Sequence, residues 1–175
     1  MIETARLILR RWRAADLAPF AAMSADPEVM DWLGGTMSEA QSEAATDAIE
    51  ARFERLGYGR FAIERKDDGA FLGFAGLAPA HESKPVPEGV EIGWRLIRAA
   101  WGRGYATEAA SAALSDGFTR LALAEILAFA AETNLRSQAV MARLNMTRDP
   151  ARDFDHPALA ADHPLRRHVV YFARR

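Results

Sequence analysis

The sequence predicts a mixed α/β fold in which antiparallel strands come first and a single strand–helix–strand crossover follows. Three observations lead there. Asp67-Asp68-Gly69 separates the apolar runs Phe61-Ala62-Ile63-Glu64 and Phe71-Leu72-Gly73-Phe74-Ala75-Gly76-Leu77, which is a hairpin pattern. A helix over about residues 105–121 carries Ala106, Ala109, Ala110, Ala113, Leu114 and Phe118 on one stripe at a period of about 3.6. Strand-like runs at 90–97 and 126–131 flank that helix.

The remaining elements follow in order. Leu7-Ile8-Leu9, with an alternating exit through Arg10-Arg11-Trp12-Arg13, suits a first strand. Asp16 is placed to N-cap a helix that runs to about Ser24 with Leu17, Phe20 and Ala21 inward. Asp26-Pro27 opens a short second helix with Val29, Met30, Trp32 and Leu33 as its apolar residues, ended by Gly34-Gly35. Ser38 caps a longer helix that Gly57 stops. Residues 79–89, with Pro79, Pro85, Pro87 and Gly89, read as a loop. A helix over 134–144 and a strand over 169–173 complete the chain. No linker divides it, so a single domain over 1–175 is expected.

Composition narrows the chemistry. At 175 residues, half of them apolar, the chain can bury a core without covalent staples. It contains no cysteine, which removes disulfides, thiolate metal sites and cysteine nucleophiles. A net charge of −2 gives no reason to expect nucleic acid as a partner. The opening Met1-Ile2-Glu3-Thr4-Ala5-Arg6 lacks the apolar core of a signal peptide, and no apolar run approaches the roughly 18 residues of a membrane span. The expectation is a soluble cytoplasmic protein with no membrane partner.

The most informative stretch runs from Val90-Glu91-Ile92-Gly93-Trp94-Arg95-Leu96 through Trp101-Gly102-Arg103-Gly104-Tyr105-Ala106-Thr107-Glu108. It reads as strand, glycine turn and helix N-terminus, an arrangement whose unsatisfied first-turn amides and positive dipole end suit phosphate or pyrophosphate. Over 91–103, Arg95, Arg98 and Arg103 against Glu91 make a local +2 in a chain that is −2 overall. A nucleotide P-loop needs a Lys that this segment lacks. A dinucleotide fingerprint is mimicked by Gly102, Gly104 and Glu125, but Thr107 stands where Gly or Ala is required.

With these residues the sequence resembles the GCN5-related N-acetyltransferase (GNAT) superfamily. There a Gln/Arg-x-x-Gly-x-Gly/Ala segment follows the fourth strand and binds the pyrophosphate of acetyl coenzyme A. Trp101-Gly102-Arg103-Gly104-Tyr105-Ala106 covers it here, with Trp in place of Gln or Arg. The branch resembled is the RimJ/RimL type, which acetylates ribosomal-protein N-termini. Its Thr-x-Arg-Leu-x-Leu-Arg is matched at 4–10, Asp-Pro-Glu-Val at 26–29, Glu-Ile-Gly-Trp at 91–94 and Asn-x-x-Ser by Asn134 and Ser137.

The resemblance implies a GNAT-like mixed sheet whose splayed parallel strand pair forms the acetyl-CoA slot. It implies acetyl-CoA as co-substrate and an amine acceptor as partner, first a protein N-terminus and alternatively a small molecule. A non-catalytic acyl-CoA binding module is the alternative outside enzymes, and homodimerisation is left open. Carried over, Trp94 and Leu96 contact the acyl-pantetheine, Gly102, Arg103, Gly104, Tyr105, Ala106 and Thr107 hold the pyrophosphate, and Asn134 meets the cofactor from the next helix. Glu91, on the strand face opposite Ile92 and Trp94, is the candidate base; Ser137 is the candidate acid, since Met141 stands about where many members have Tyr. No metal is expected: Asp155-His156-Pro157 and Asp162-His163-Pro164 read as turns. Residues 150–166 are a candidate lid.

Overall fold

The computed structural model describes residues 1–80, 88–157 and 159–175. The chain opens with two strands, β1 (Ile2–Glu3) and β2 (Leu7–Arg10), and the helices α1 (Leu17–Ala25), α2 (Pro27–Met30) and α3 (Glu39–Leu56). Asp26 accepts from the Glu28 amide to start α2. Ser38 and Gln41 form a reciprocal capping box on α3, and Gly57 ends that helix in the left-handed region at φ 71°. The hairpin is present as β3 (Arg60–Arg65) and β4 (Phe71–Pro79), followed by β5 (Val90–Leu96). The crossover is α4 (Tyr105–Thr119), leading to β6 (Glu125–Ala131), and α5 (Leu135–Arg143) comes next. The strands β7 (Thr147–Arg148), β8 (Phe154–Asp155) and β9 (Arg167–Arg174) close the chain.

The strands form one mixed sheet in the order β1-β2-β3-β4-β5-β6-β9-β7, with β8 also on β9. All neighbours are antiparallel except β5 and β6, which are parallel. Strand alternation gives this sheet two working faces. Leu77, Ile92 and Leu96 point to one face, where Ala109, Ala110, Ala113 and Leu114 of α4 bury against them. Gly117 permits that approach, because a Cβ there would stand 2.6 Å from Ile126 Cδ1 and 3.0 Å from Leu77 Cδ1. On the other face Phe74 packs with Phe20 and Met23 of α1 and with Val29 of α2.

Three expectations need correction. Asp16 does not cap α1 with its side chain. Its carboxylate instead accepts both Arg10 Nη1 at 2.7 Å and Nη2 at 2.9 Å, and the Arg13 amide at 2.8 Å, while Arg10 Nε binds Glu64 at 2.6 Å. A buried guanidinium is a stronger claim on a carboxylate than an exposed helix end. The loop expected at 79–89 starts later, since β4 runs through Pro79 paired with Val90; residues 81–87 lie outside the described residues. Segment 150–166, the candidate lid, contributes a short turn and β8, whose two residues are fixed to β9 with Phe154 opposite His168. Asp162-His163-Pro164 lies in a turn, where His163 O accepts from Arg166 N–H, whereas Asp155 of the first triplet belongs to β8 and His156 N–H donates to Arg166 O.

The Arg10–Asp16–Glu64 cluster is nearly closed to solvent, with Asp16 at 3 % side-chain exposure. Burial pushes the Asp16 carboxyl up, but the hydrogen bonds from Arg10 and the Arg13 amide outweigh it and hold it below the usual carboxylate range. Replacing Asp16 with Ala leaves the Arg10 charge buried beside Glu64 alone and is expected to cost about 3–5 kcal/mol in urea unfolding. A group whose folded pKa is depressed contributes stability above its unfolded value of about 3.9 and loses it as pH falls. Wild-type stability is therefore expected to drop below about pH 4, and the Ala variant to show a shallower drop.

Candidate active site

β5 is paired with β4 along its whole length, from Val90 opposite Pro79 to Leu96 opposite Gly73. Its other edge meets β6 in register at Glu91 opposite Leu127, and beyond that pair the two parallel strands part. The β5 backbone after Glu91 therefore keeps hydrogen-bonding groups facing an open slot. Trp94 and Leu96 stand beside that slot with their side chains on the α4 face. Leu96 is 5 % exposed and belongs to the core, and its carbonyl accepts Trp101 Nε1 at 2.9 Å.

The glycine turn leads from β5 into α4. Gly102 and Gly104 hold φ of +71° and +80°, a conformation that costs glycine least. Gly104 is the N-cap of α4 and offers no side chain, so the first-turn amides of Tyr105, Ala106 and Thr107 carry no cap. This is the local arrangement an anion fits. Arg103 is exposed beside it.

A latch from the N-terminal segment holds this turn. Glu108 accepts Thr4 Oγ1 at 2.6 Å, the Arg6 amide at 2.9 Å and Arg6 Nε at 2.7 Å. Arg6 Nη1 donates to the Arg103 carbonyl at 3.0 Å, and its guanidinium lies 4.5 Å from the Tyr105 ring centre. Burial pushes the Glu108 carboxyl up, yet the donors from Thr4 and Arg6 prevail and hold it low. The Thr-x-Arg pattern and Thr-Glu-Ala are thus two halves of one contact. Pattern matching singled out both, without showing that they meet.

Asn134 is 8 % exposed, and its Oδ1 caps α5 by accepting the Ser137 amide at 3.1 Å. The expected helix start at 134 is therefore a cap. Arg136 lies 4.7 Å from the Trp101 ring centre, which brings the first turn of α5 against the glycine turn. Met141 is 1 % exposed in the core and has no proton to give.

On the opposite face of β5 stand Glu91, Gly93 and Arg95. Arg60 of β3 stretches across the sheet, and Gly93 supplies the flat floor it crosses, its nearest guanidinium atom 3.5 Å from where a Cβ would be. Arg60 Nη2 then donates to Glu91 Oε1 at 2.6 Å, with the carboxylate at 13 % side-chain exposure. Sequence reading found Glu91 and its face but missed Arg60; Gly93, in the middle of Glu-Ile-Gly-Trp, was the signal. Beside this pair, Arg60, Arg95, Phe74, Phe20, Ile49 and Arg52 line a cavity of about 210 Å³. Burial, with Arg60 nearby, pushes the Arg95 guanidinium down to about 10.

The local +2 is not delivered to the turn. Arg95 points to the face away from α4 because strand side chains alternate. Arg98 is claimed by Asp26 at 2.7 Å and by Glu28, so Asp-Pro-Glu is its partner. Arg103 alone of the three remains at the turn. The larger groove, about 620 Å³, runs along α4 beside Arg143, Asn145 and Phe172 and touches the expected pyrophosphate residues only at Thr107.

The chain matches the acetyltransferase (GNAT) domain family over residues 6–147. It is 31% identical over 147 residues to the uncharacterized protein YkkB of Bacillus subtilis, covering 83% of this chain and 84% of YkkB. An acetyltransferase structure from Agrobacterium tumefaciens superposes with a TM-score of 0.80 at 26% identity, covering 99% of this chain and 94% of that one. RimL, a ribosomal L7/L12 α-N-protein acetyltransferase in complex with coenzyme A, shares the fold at a TM-score of 0.76 and 15% identity, covering 98% and 95%.

Removing the Arg6 latch frees the Arg103 carbonyl and leaves Glu108 without its cation. Arg6→Ala is expected to weaken coenzyme A binding about tenfold by calorimetry. An unchanged Kd removes the latch from the turn's function.

Proposed function

Because the chain belongs to the GNAT acetyltransferase family, a family of acetyl-CoA-dependent N-acyltransferases, we propose that it acetylates an amine at the fork between β5 and β6. The acceptor proposed first is the N-terminal amine of a protein. Acetyl-CoA supplies a thioester whose carbonyl carbon is open to a neutral amine. Each residue of this chain then has a physical task.

The uncapped amides from Gly102 to Thr107, with the Arg103 side chain, hold the pyrophosphate. The edge of β5 at Trp94 and Leu96 takes the pantetheine arm through backbone groups other than the Leu96 carbonyl, which Trp101 holds, and Asn134 meets it from α5. These residues fit the cofactor because the slot, the turn and the α5 cap adjoin. Glu91 accepts the amine's proton, through water. The observation that carries this role is its position at the β5 residue that pairs with β6, where the two strands fork, with Arg60 fixing its carboxylate. An N-terminal amine has a reference pKa of about 7.7–8, so near neutral pH the base removes a proton already loosely held. Ser137 donates to the departing thiolate: Asn134 makes the cap at this end of α5, so its hydroxyl is not needed there. A small-molecule amine is the second reading, favoured by a cavity of about 210 Å³ beside Glu91.

Glu91→Gln keeps the shape and removes the proton acceptor. It is expected to lower kcat about 100-fold on an amine panel, with coenzyme A affinity unchanged. Equal turnover by the variant and the wild type overturns the assignment. Ser137→Ala is expected to lower kcat about tenfold, and an unchanged kcat removes Ser137 from the reaction.

A further inference from the structure

The cavity on the α1 and α3 side of the sheet has an unusual charge. Phe20, Met37, Ala45, Ala48, Ile49 and Phe74 make most of its wall apolar, yet Arg52, Arg60 and Arg95 also line it. Arg95 Nε and Nη1 and Arg60 Nε are buried without a hydrogen-bond partner. Arg95 has a face contact with Phe74, its ring centre 5.2 Å away, and no carboxylate pairs with it among the described residues. Arg60 is the one of the two that holds an acid, through Glu91. Among the described residues, two guanidiniums with buried, unpartnered nitrogens thus stand against the single Glu91 carboxylate. That carboxylate belongs to the base.

Desolvating a cation without a counter-ion is costly, and an apolar wall raises the cost. A protein that keeps such a group in a cavity beside its reactive carboxylate is built for an anion that arrives with the substrate. The geometry points to an acceptor amine that carries its own carboxylate, bound by Arg95 in this cavity while the amine faces Glu91. This rests on the reading of Glu91 as base and names the acceptor's chemistry. Arg60 lies between the two functions: its Nη2 orients the base, and the same side chain lines the cavity with Arg95. The apolar wall of Phe20, Ile49 and Phe74 takes the substrate's hydrocarbon portion. A polycation finds two like charges here and is disfavoured. The carboxylate has two sources, the α-carboxylate of a free apolar amino acid or the side chain of an acidic first residue in a polypeptide.

The test follows release of free coenzyme A from acetyl-CoA with matched acceptors. One arm compares leucine, methionine and phenylalanine with their carboxamides. A second compares peptides beginning Asp or Glu with those beginning Asn or Gln, and a third offers spermidine. The expected result is a kcat/KM about 100-fold higher for the acids than for the amides in one of the first two arms, and that arm identifies the source. In Arg95→Gln the acid-to-amide ratio should collapse toward one, and Arg95→Lys should restore part of it. Amides or spermidine used as well as acids, or a ratio unmoved in Arg95→Gln, overturns the inference. If no acceptor in the panel turns over, calorimetry on the coenzyme A complex with N-acetylleucine and N-acetylleucinamide decides. Arg95-dependent binding of the acid supports the inference, and its absence sinks it. Glu91→Gln measured on the same panel separates the two claims. Retained turnover sinks the base while leaving the ratio standing, and a ratio of one with Glu91-dependent turnover does the reverse.

Discussion

One constraint organises the molecule: β5 and β6 are parallel neighbours that share register at a single residue pair, Glu91 with Leu127. A parallel pair inside a sheet ordinarily continues its ladder, because buried backbone groups without partners are expensive. Here the strands part while each continues in antiparallel pairing on its outer side, β5 with β4 and β6 with β9. Those outer ladders keep the strands rigid without the missing inner one. The backbone edge left over is a recognition surface, and the glycine turn, the first turn of α5 and the Arg60–Glu91 pair stand around it.

Period-two alternation then divides labour along one strand. Ile92 and Leu96 seal the α4 side, while Glu91, Gly93 and Arg95 face the α1 and α3 side. The glycine turn and the Arg95 cavity consequently lie on different faces, with the fork between β5 and β6 joining them. Arg95, with buried nitrogens and no carboxylate among the described residues, contrasts with surface arginines such as Arg98, which is paired with Asp26 and Glu28.

Much of this was legible in the residues. The caps at Ser38 and Gly57, the Asp-Gly hairpin and the α4 stripe are local signals, set by neighbours within a few positions, and each element formed where they stand. The strands β1, β7 and β8 are two residues each, held by partners distant in sequence, and carry no period of their own. Asp16 failed as a cap for a different reason: Arg10, six residues before it, folds back as a buried guanidinium and takes both carboxylate oxygens. Counting charge over 91–103 merged Arg95, which strand parity turns away from α4, and Arg98, which is paired with Asp26 and Glu28, with Arg103 at the turn. Glu91 was found because its face follows from parity alone, whereas Arg60 comes from a strand 31 residues earlier and left Gly93 as its only trace.

The latch of Thr4 and Arg6 on Glu108 joins groups 104 and 102 residues apart. During synthesis the first half of that contact leaves the ribosome long before the second exists. α4 can coil as soon as its own residues emerge, because its hydrogen bonds are local, but its entrance is completed only when a loop of about a hundred residues closes. The turn's outer contacts thereby carry a loop-closure cost that the helix's own hydrogen bonds do not. A nascent chain carrying the glycine segment but not yet the docked N-terminal segment has the helix without the contacts that hold its entrance.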